Sequence, residues 1–179
     1  ERPGPVGIEA TAYTLQAIQK CDPGWLERLR GLIAAGKAAL IGSGYAQVIG
    51  PLVPADVVAA NLRLGNAAYQ KLLGLKPKIA LVNEQAYSGG LVGQYLDAGY
   101  QALLVDWDNV ANAHPHWRPE YRYAPQKALG ADGCAIPILW TNTVAFQKLQ
   151  RLAHDDITLD DYAAFVAGQR GDGPRTFCL

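Results

Sequence analysis

The chain has 179 residues, enough for one ordinary domain and short for two. Half of it is apolar, 18% is charged, and 16 Lys+Arg balance 16 Asp+Glu. The even charge argues against a basic face for nucleic acid. The apolar content argues against disorder, and no apolar run approaches the roughly 18–20 residues that span a bilayer.

Cys21, Cys134 and Cys178 are too few and too scattered for a disulfide framework, and no Cys-x-x-Cys pair suggests zinc. They are expected as small buried hydrophobes in a reducing, cytoplasmic setting. The chain begins at Glu1 and stops at the apolar run Phe177-Cys178-Leu179, so it reads as a piece of a longer protein.

Strand-like and helix-like segments alternate. Asp22-Pro23 predicts a helix start, with a capping carboxylate and a proline at the first position. Trp25, Leu26, Leu29, Leu32 and Ile33 then hold one apolar face up to Gly36. Ala38–Ile41 reads as a buried strand. Pro54 opens a second helix, with Val57, Val58, Leu62, Leu64, Tyr69 and Leu72 inward and Gly74 as its stop. Lys78–Val82 is the next strand, Ser88 caps a helix ending at Gly99, and Gln101–Val105 is a third strand. Trp107–Gly133 reads as irregular and aromatic. Ile136–Trp140 predicts a strand despite Pro137. Helices over Val144–Ala153 and Leu159–Ala167 follow, then a last strand from Thr176.

This alternation predicts an α/β fold with a parallel sheet covered by helices. Such sheets bind ligands at the carboxyl ends of their strands. Those ends carry Ser43, Gly44, Tyr45 and Gln47, then Asn83, Glu84 and Tyr87, then Asp106, Trp107 and Asp108, and lastly Trp140, Thr141 and Asn142. Amides, carboxylates and flat rings suit a polar, neutral ligand with apolar faces, as a sugar has.

Glu84 stands out because it follows a fully apolar strand, whereas Glu1, Glu9, Glu27 and Glu120 fall in the terminus, helices or a loop. Its competing reading is an acid favoured by the dipole of the helix after Ser88. Asp106 and Asp108 are further carboxylate candidates, weighed against the turn-capping role that Asp-x-Asp-Asn also fits. His114 and His116, one residue apart, point in opposite directions on extended backbone, so no metal is expected. Gly42-Ser43-Gly44 matches neither a phosphate loop nor a nucleophile elbow. Tyr45, Tyr87, Trp107 and Trp140 together tilt the strand ends toward a ligand surface.

The stretch Gly36–Asn109 resembles the catalytic domain of family 57 glycoside hydrolases, which includes α-amylases, 4-α-glucanotransferases and glycogen branching enzymes. Leu40–Gln47 followed by Pro51–Pro54 is similar to the family's second motif. Leu73-Gly74-Leu75-Lys76-Pro77 is similar to the approach to its third, and Leu81–Ser88 stands where the nucleophile motif lies. Asn83 stands where family members usually carry proline, Ala39 where they often carry Glu, and Gln47 where they often carry His, which marks a divergent subgroup.

The resemblance implies a (β/α)7-type barrel of the glycoside hydrolase and deacetylase type. The chain would then be a single partial barrel domain truncated at both ends. It also implies a retaining, metal-independent and cofactor-independent mechanism. Glu84 would be the nucleophile, and the acid/base Asp would lie beyond Leu179. Tyr45, Gln47, Asn83, Tyr87, Asp106, Trp107, Asp108 and Trp140 are the substrate-binding candidates. The partner is an oligo- or polysaccharide, with no nucleic acid and no membrane, and the oligomeric state is left open.

The chain alone is expected to be inactive and prone to self-association through exposed barrel edges. The alternatives are a non-catalytic glycan-binding or regulatory relative, and a metal-dependent deacetylase-like barrel.

Overall fold

The computed structural model describes residues 5–170. Contacts divide the described residues into two compact units, one of residues 5–104 and 127–137, the other of 105–126 and 138–170.

The first unit opens with β1 (Val6–Glu9) and α1 (Ala12–Cys21), neither of which the sequence pattern announces. Strand β1 is only four residues long and holds a glycine, too little for a period to register. Next come α2 (Pro23–Ala34), β2 (Ala38–Gly42), α3 (Ala55–Leu73), β3 (Ile79–Leu81), α4 (Val92–Asp97) and β4 (Ala102–Asp106). Strand β5 (Gln126–Leu129) and the start of β6 (Ala135–Thr141) complete its sheet, in the order β1-β2-β3-β4-β6-β5. The first four strands pair in parallel, with Ile8 opposite Leu40, Ile41 opposite Ile79 and Ala80 opposite Leu103.

Parallel strands need covering, and Leu15 of α1, Leu26 and Leu29 of α2, and Tyr69 and Leu72 of α3 close over Ala38 and Leu40 in one core. Asp22 caps α2 as its sequence predicts, accepting from Trp25 N–H at 3.0 Å. Gly74 ends α3 in the left-handed conformation, with φ 75°.

Two assigned inward residues of α3 face outward. Val57 and Leu64 are exposed, because they share a stripe seven residues apart that lies off the buried row Val58, Leu62, Gly65, Tyr69 and Leu72. The helix expected from Ser88 is shorter. Gly89–Leu91 forms a 3-10 turn, α4 begins only at Val92, and Ser88 makes no side-chain cap. The pair Gly89-Gly90 disfavours regular helix there. Cys21 is an exposed free thiol and Cys134 a half-buried one, so neither fills the core. Glu9 closes β1, placing a second glutamate at a strand end.

The second unit contains the ends of β4 and β6 and the helices α5 (Trp107–Ala113), α6 (Thr143–Ala153) and α7 (Leu159–Arg170). The segment read as irregular thus holds a helix, a 3-10 turn at Pro119–Tyr123 and strand β5. Helix α5 forms because Asp106 caps it, and it stops just before Pro115. Asn142 caps α6 through Ala145 N–H at 2.9 Å. Thr158 and Asp161 cap α7 reciprocally, Asp161 N–H donating to Thr158 Oγ1 and Thr158 N–H to the Asp161 carboxylate. The strand expected from Thr176 lies outside the described residues. No helix among them is long and apolar enough to cross a membrane.

Candidate functional site

Strand β3 ends in a one-turn 3-10 helix, Asn83–Gln85, and there the backbone does something unusual. Glu84 and Gln85 both adopt positive φ, 53° and 56°. Non-glycine residues in this region are uncommon and cost on the order of 1 kcal/mol or more each, a cost that persists where surrounding structure enforces it. Gln85 N–H bonds to Val82 O at 3.0 Å and Ala86 N–H to Asn83 O at 3.2 Å, closing the turn. Helix α4 starts eight residues later, so no helix dipole accounts for this acid.

Asn83 anchors the turn. It is buried, and its amide donates to Ser43 O at 3.0 Å and Val48 O at 3.4 Å. Those carbonyls belong to the turn after β2, which is pinned from two further sides. Asn61 of α3 accepts from Ala46 N–H at 2.9 Å and donates to Ala46 O at 3.0 Å. The first N–H groups of α1, at Ala12 and Tyr13, bond to Gly44 O and Tyr45 O at 3.0 and 2.9 Å.

Glycines make that approach possible. Gly44 has φ 82°, and a Cβ on Gly65 would sit 2.5 Å from the Gly44 carbonyl carbon. Beneath lies the Tyr69 hydroxyl, which accepts from Ser43 N–H at 3.2 Å and stands 2.7 Å from Ala10 O and 2.9 Å from Gly44 O. Burial raises its pKa above the ordinary tyrosine value.

On this frame Gln47 and Glu84 meet. The Gln47 Nε2–H donates to Glu84 Oε1 at 2.5 Å, and both side chains are exposed. Tyr45 donates its hydroxyl to Gln16 Oε1 at 3.1 Å and packs its ring on the core, edge-on to Tyr13. The Tyr87 hydroxyl donates to Leu129 O at 2.9 Å, and burial raises its pKa, with Cys134 adding to the effect. Five of the nine candidates therefore share the first unit: Tyr45, Gln47, Asn83, Glu84 and Tyr87.

Asp106, Trp107, Asp108 and Trp140 lie in the second unit. Asp106 is buried at 2% exposure. Its carboxylate accepts from Asn109 N–H at 2.9 Å, from Thr143 N–H at 3.1 Å and from the Thr143 hydroxyl. Asp108 sits in the first turn of α5. Trp107 and Trp140 meet edge to face at 5.3 Å, and Trp117, which sequence reasoning passed over, stands 6.0 Å from both. His114 stacks on Trp117 at 4.4 Å. A cleft of about 140 Å3 is lined by Trp107, Trp140, Arg122, Tyr123, Tyr162 and Phe165. Among the described residues, no three His, Cys, Asp or Glu side chains are grouped to hold a metal.

Residues 1–157 match the model of a protein family described as glycosyl hydrolase family 57. Alpha-amylase 1 of Dictyoglomus thermophilum is 25% identical over 103 residues, which is 57% of this chain and 15% of the amylase. The 4-alpha-glucanotransferase from Thermococcus litoralis superposes with TM-score 0.68 at 20% identity, over 84% of this chain and 23% of the transferase. An exo-type maltose-forming amylase from Pyrococcus sp. ST04 gives TM-score 0.69 at 13% identity, over 96% and 28%. The chain thus spans between a seventh and a third of the length of these relatives. Its fold is α/β with a mostly parallel sheet, like part of their (β/α)7 barrels.

Proposed function

Because this chain belongs to glycosyl hydrolase family 57, we propose that it supplies the nucleophile side of a retaining site acting on α-glucans, in the manner of an α-amylase or 4-α-glucanotransferase. Glu84 is the nucleophile. One observation carries the assignment: an exposed carboxylate stands on a strained, strand-end turn and is held by a donor from the neighbouring strand end. Strain of this kind collects where a side chain must be presented in one orientation.

The chemistry runs in two displacements. The Glu84 carboxylate attacks the anomeric carbon as the glycosidic C–O bond breaks, and an acid protonates the departing oxygen. The glycosyl-enzyme is then opened by water or an acceptor sugar, deprotonated by the same group. That acid/base is an Asp beyond Leu179, its carboxyl about 5–5.5 Å from that of Glu84, as retaining geometry requires. Asp106 does not serve, since its oxygens are engaged by the backbone and hydroxyl of its own unit. The chain alone therefore lacks turnover, and no metal or cofactor takes part.

Trp107 and Trp140 are only 6% and 5% exposed, so they wall the cleft of the second unit rather than present open ring faces. The substrate is an oligo- or polysaccharide. The test is Glu84→Ala in the full protein with maltoheptaose and sodium azide. The azide ion occupies the vacated space, attacks the anomeric carbon and yields a β-glycosyl azide. That product supports the assignment. Wild-type turnover without azide overturns it. Saccharide binding by a wild-type protein with no turnover would favour the non-catalytic relative instead.

A further inference from the structure

We infer that Gln47 is a positioning residue that fixes the attacking geometry of Glu84. The inference rests on the proposed role of Glu84 and adds a requirement to it. A glutamate carboxylate exposed to solvent on three rotatable bonds samples many orientations, few of which align an oxygen lone pair with an anomeric carbon. Gln47 removes most of that freedom. Its Nε2–H bonds to Oε1 at 2.5 Å, which leaves Oε2 as the attacking atom.

The donor is itself held. Residue 46 is bonded at both its N–H and its carbonyl to the Asn61 side chain, and residue 48 at its carbonyl to Asn83. Gln47 is thus pinned on either side. One of those pins, Asn83, immediately precedes Glu84, so donor and acceptor belong to a single hydrogen-bonded unit. An amide suits the role: it donates at every pH, carries no charge to repel the carboxylate, and cannot take its proton.

The experiment uses the full protein and α-maltosyl fluoride, whose fluoride departs without an acid and so isolates the nucleophilic step. Gln47→Leu keeps the bulk and removes the donor. Gln47→His keeps an N–H donor. The expected result for Gln47→Leu is a kcat lowered about tenfold to a hundredfold with KM within about twofold, as misalignment of a reacting group gives. Gln47→His should recover most of that loss, and far-UV circular dichroism should match wild type for both.

Wild-type kcat in Gln47→Leu, a loss confined to KM, or no advantage of His over Leu overturns the inference. Glu84→Ala run in parallel separates the two proposals. If it stays active, the nucleophile assignment fails and this inference with it. If it is inactive while Gln47→Leu is unchanged, only the positioning role fails.

Discussion

The Asn83 side chain donates a hydrogen bond to the carbonyl of Ser43 at 3.0 Å, joining the strand end that carries Glu84 to the one that carries Gln47. Asn83 stands where the family's usual residue is proline, which has no such donor. Asn83→Ala leaves the Ser43 carbonyl short of a partner beneath the site and should cost about 1–3 kcal/mol of stability by urea denaturation. It should also lower kcat more than it raises KM, because the turn under Glu84 is loosened.

Gly65 lets α3 touch the backbone of the turn after β2. A methyl group there would lie 2.5 Å from Gly44 C and 2.7 Å from Tyr45 N, and neither can give way as a flexible side chain would. Gly65→Ala should therefore destabilise by about 1–3 kcal/mol despite the better helix propensity of alanine, seen as a lowered urea midpoint. A gain in stability would show that α3 stands off from the turn.

The capping role of Asp106 is separable from substrate binding. Asp106→Ala leaves the Asn109 and Thr143 N–H groups without their acceptor and should cost about 1–3 kcal/mol. Hydrogen exchange should rise at the starts of α5 and α6. A variant of full stability whose only defect is a raised KM would identify Asp106 as a sugar ligand instead.

Tyr69, Tyr95 and Tyr100 are held neutral chiefly by burial, Tyr95 with its pKa pushed up to about 12 and Tyr100 higher still. Once unfolded, they ionise near the ordinary value of about 10. Their contribution to stability is whole below that pH and is lost as pH rises from about 10 through 12. Phenolate absorbance should therefore show these tyrosines titrating late, together with the loss of near-UV circular dichroism. Smooth titration of all nine tyrosines near the ordinary value would contradict the packing.

Much of the first unit is legible because its signals are local. Asp22-Pro23 caps α2, Gly74 stops α3, and β2, β3 and β4 read as short apolar runs. Glu84 is legible as an acid after such a run. What escapes sequence reading depends on contacts far along the chain. The positive φ of Glu84 and Gln85 comes directly after Asn83, whose side chain reaches back to residues 43 and 48. Helix α5 hides in an aromatic segment because its cap, Asp106, reads as a turn-capping residue and not as the start of a helix. Val57 and Leu64 mislead because an apolar side chain does not reveal which of two stripes its helix buries.

The most direct test of the account is Glu84→Gln in the full protein, assayed on soluble starch. It keeps the size of the side chain and removes the nucleophilic oxygen. Turnover should fall about a thousandfold or more, with thermal unfolding and circular dichroism unchanged. Activity within about tenfold of wild type would place the nucleophile elsewhere and leave Glu84 as a strained surface acid.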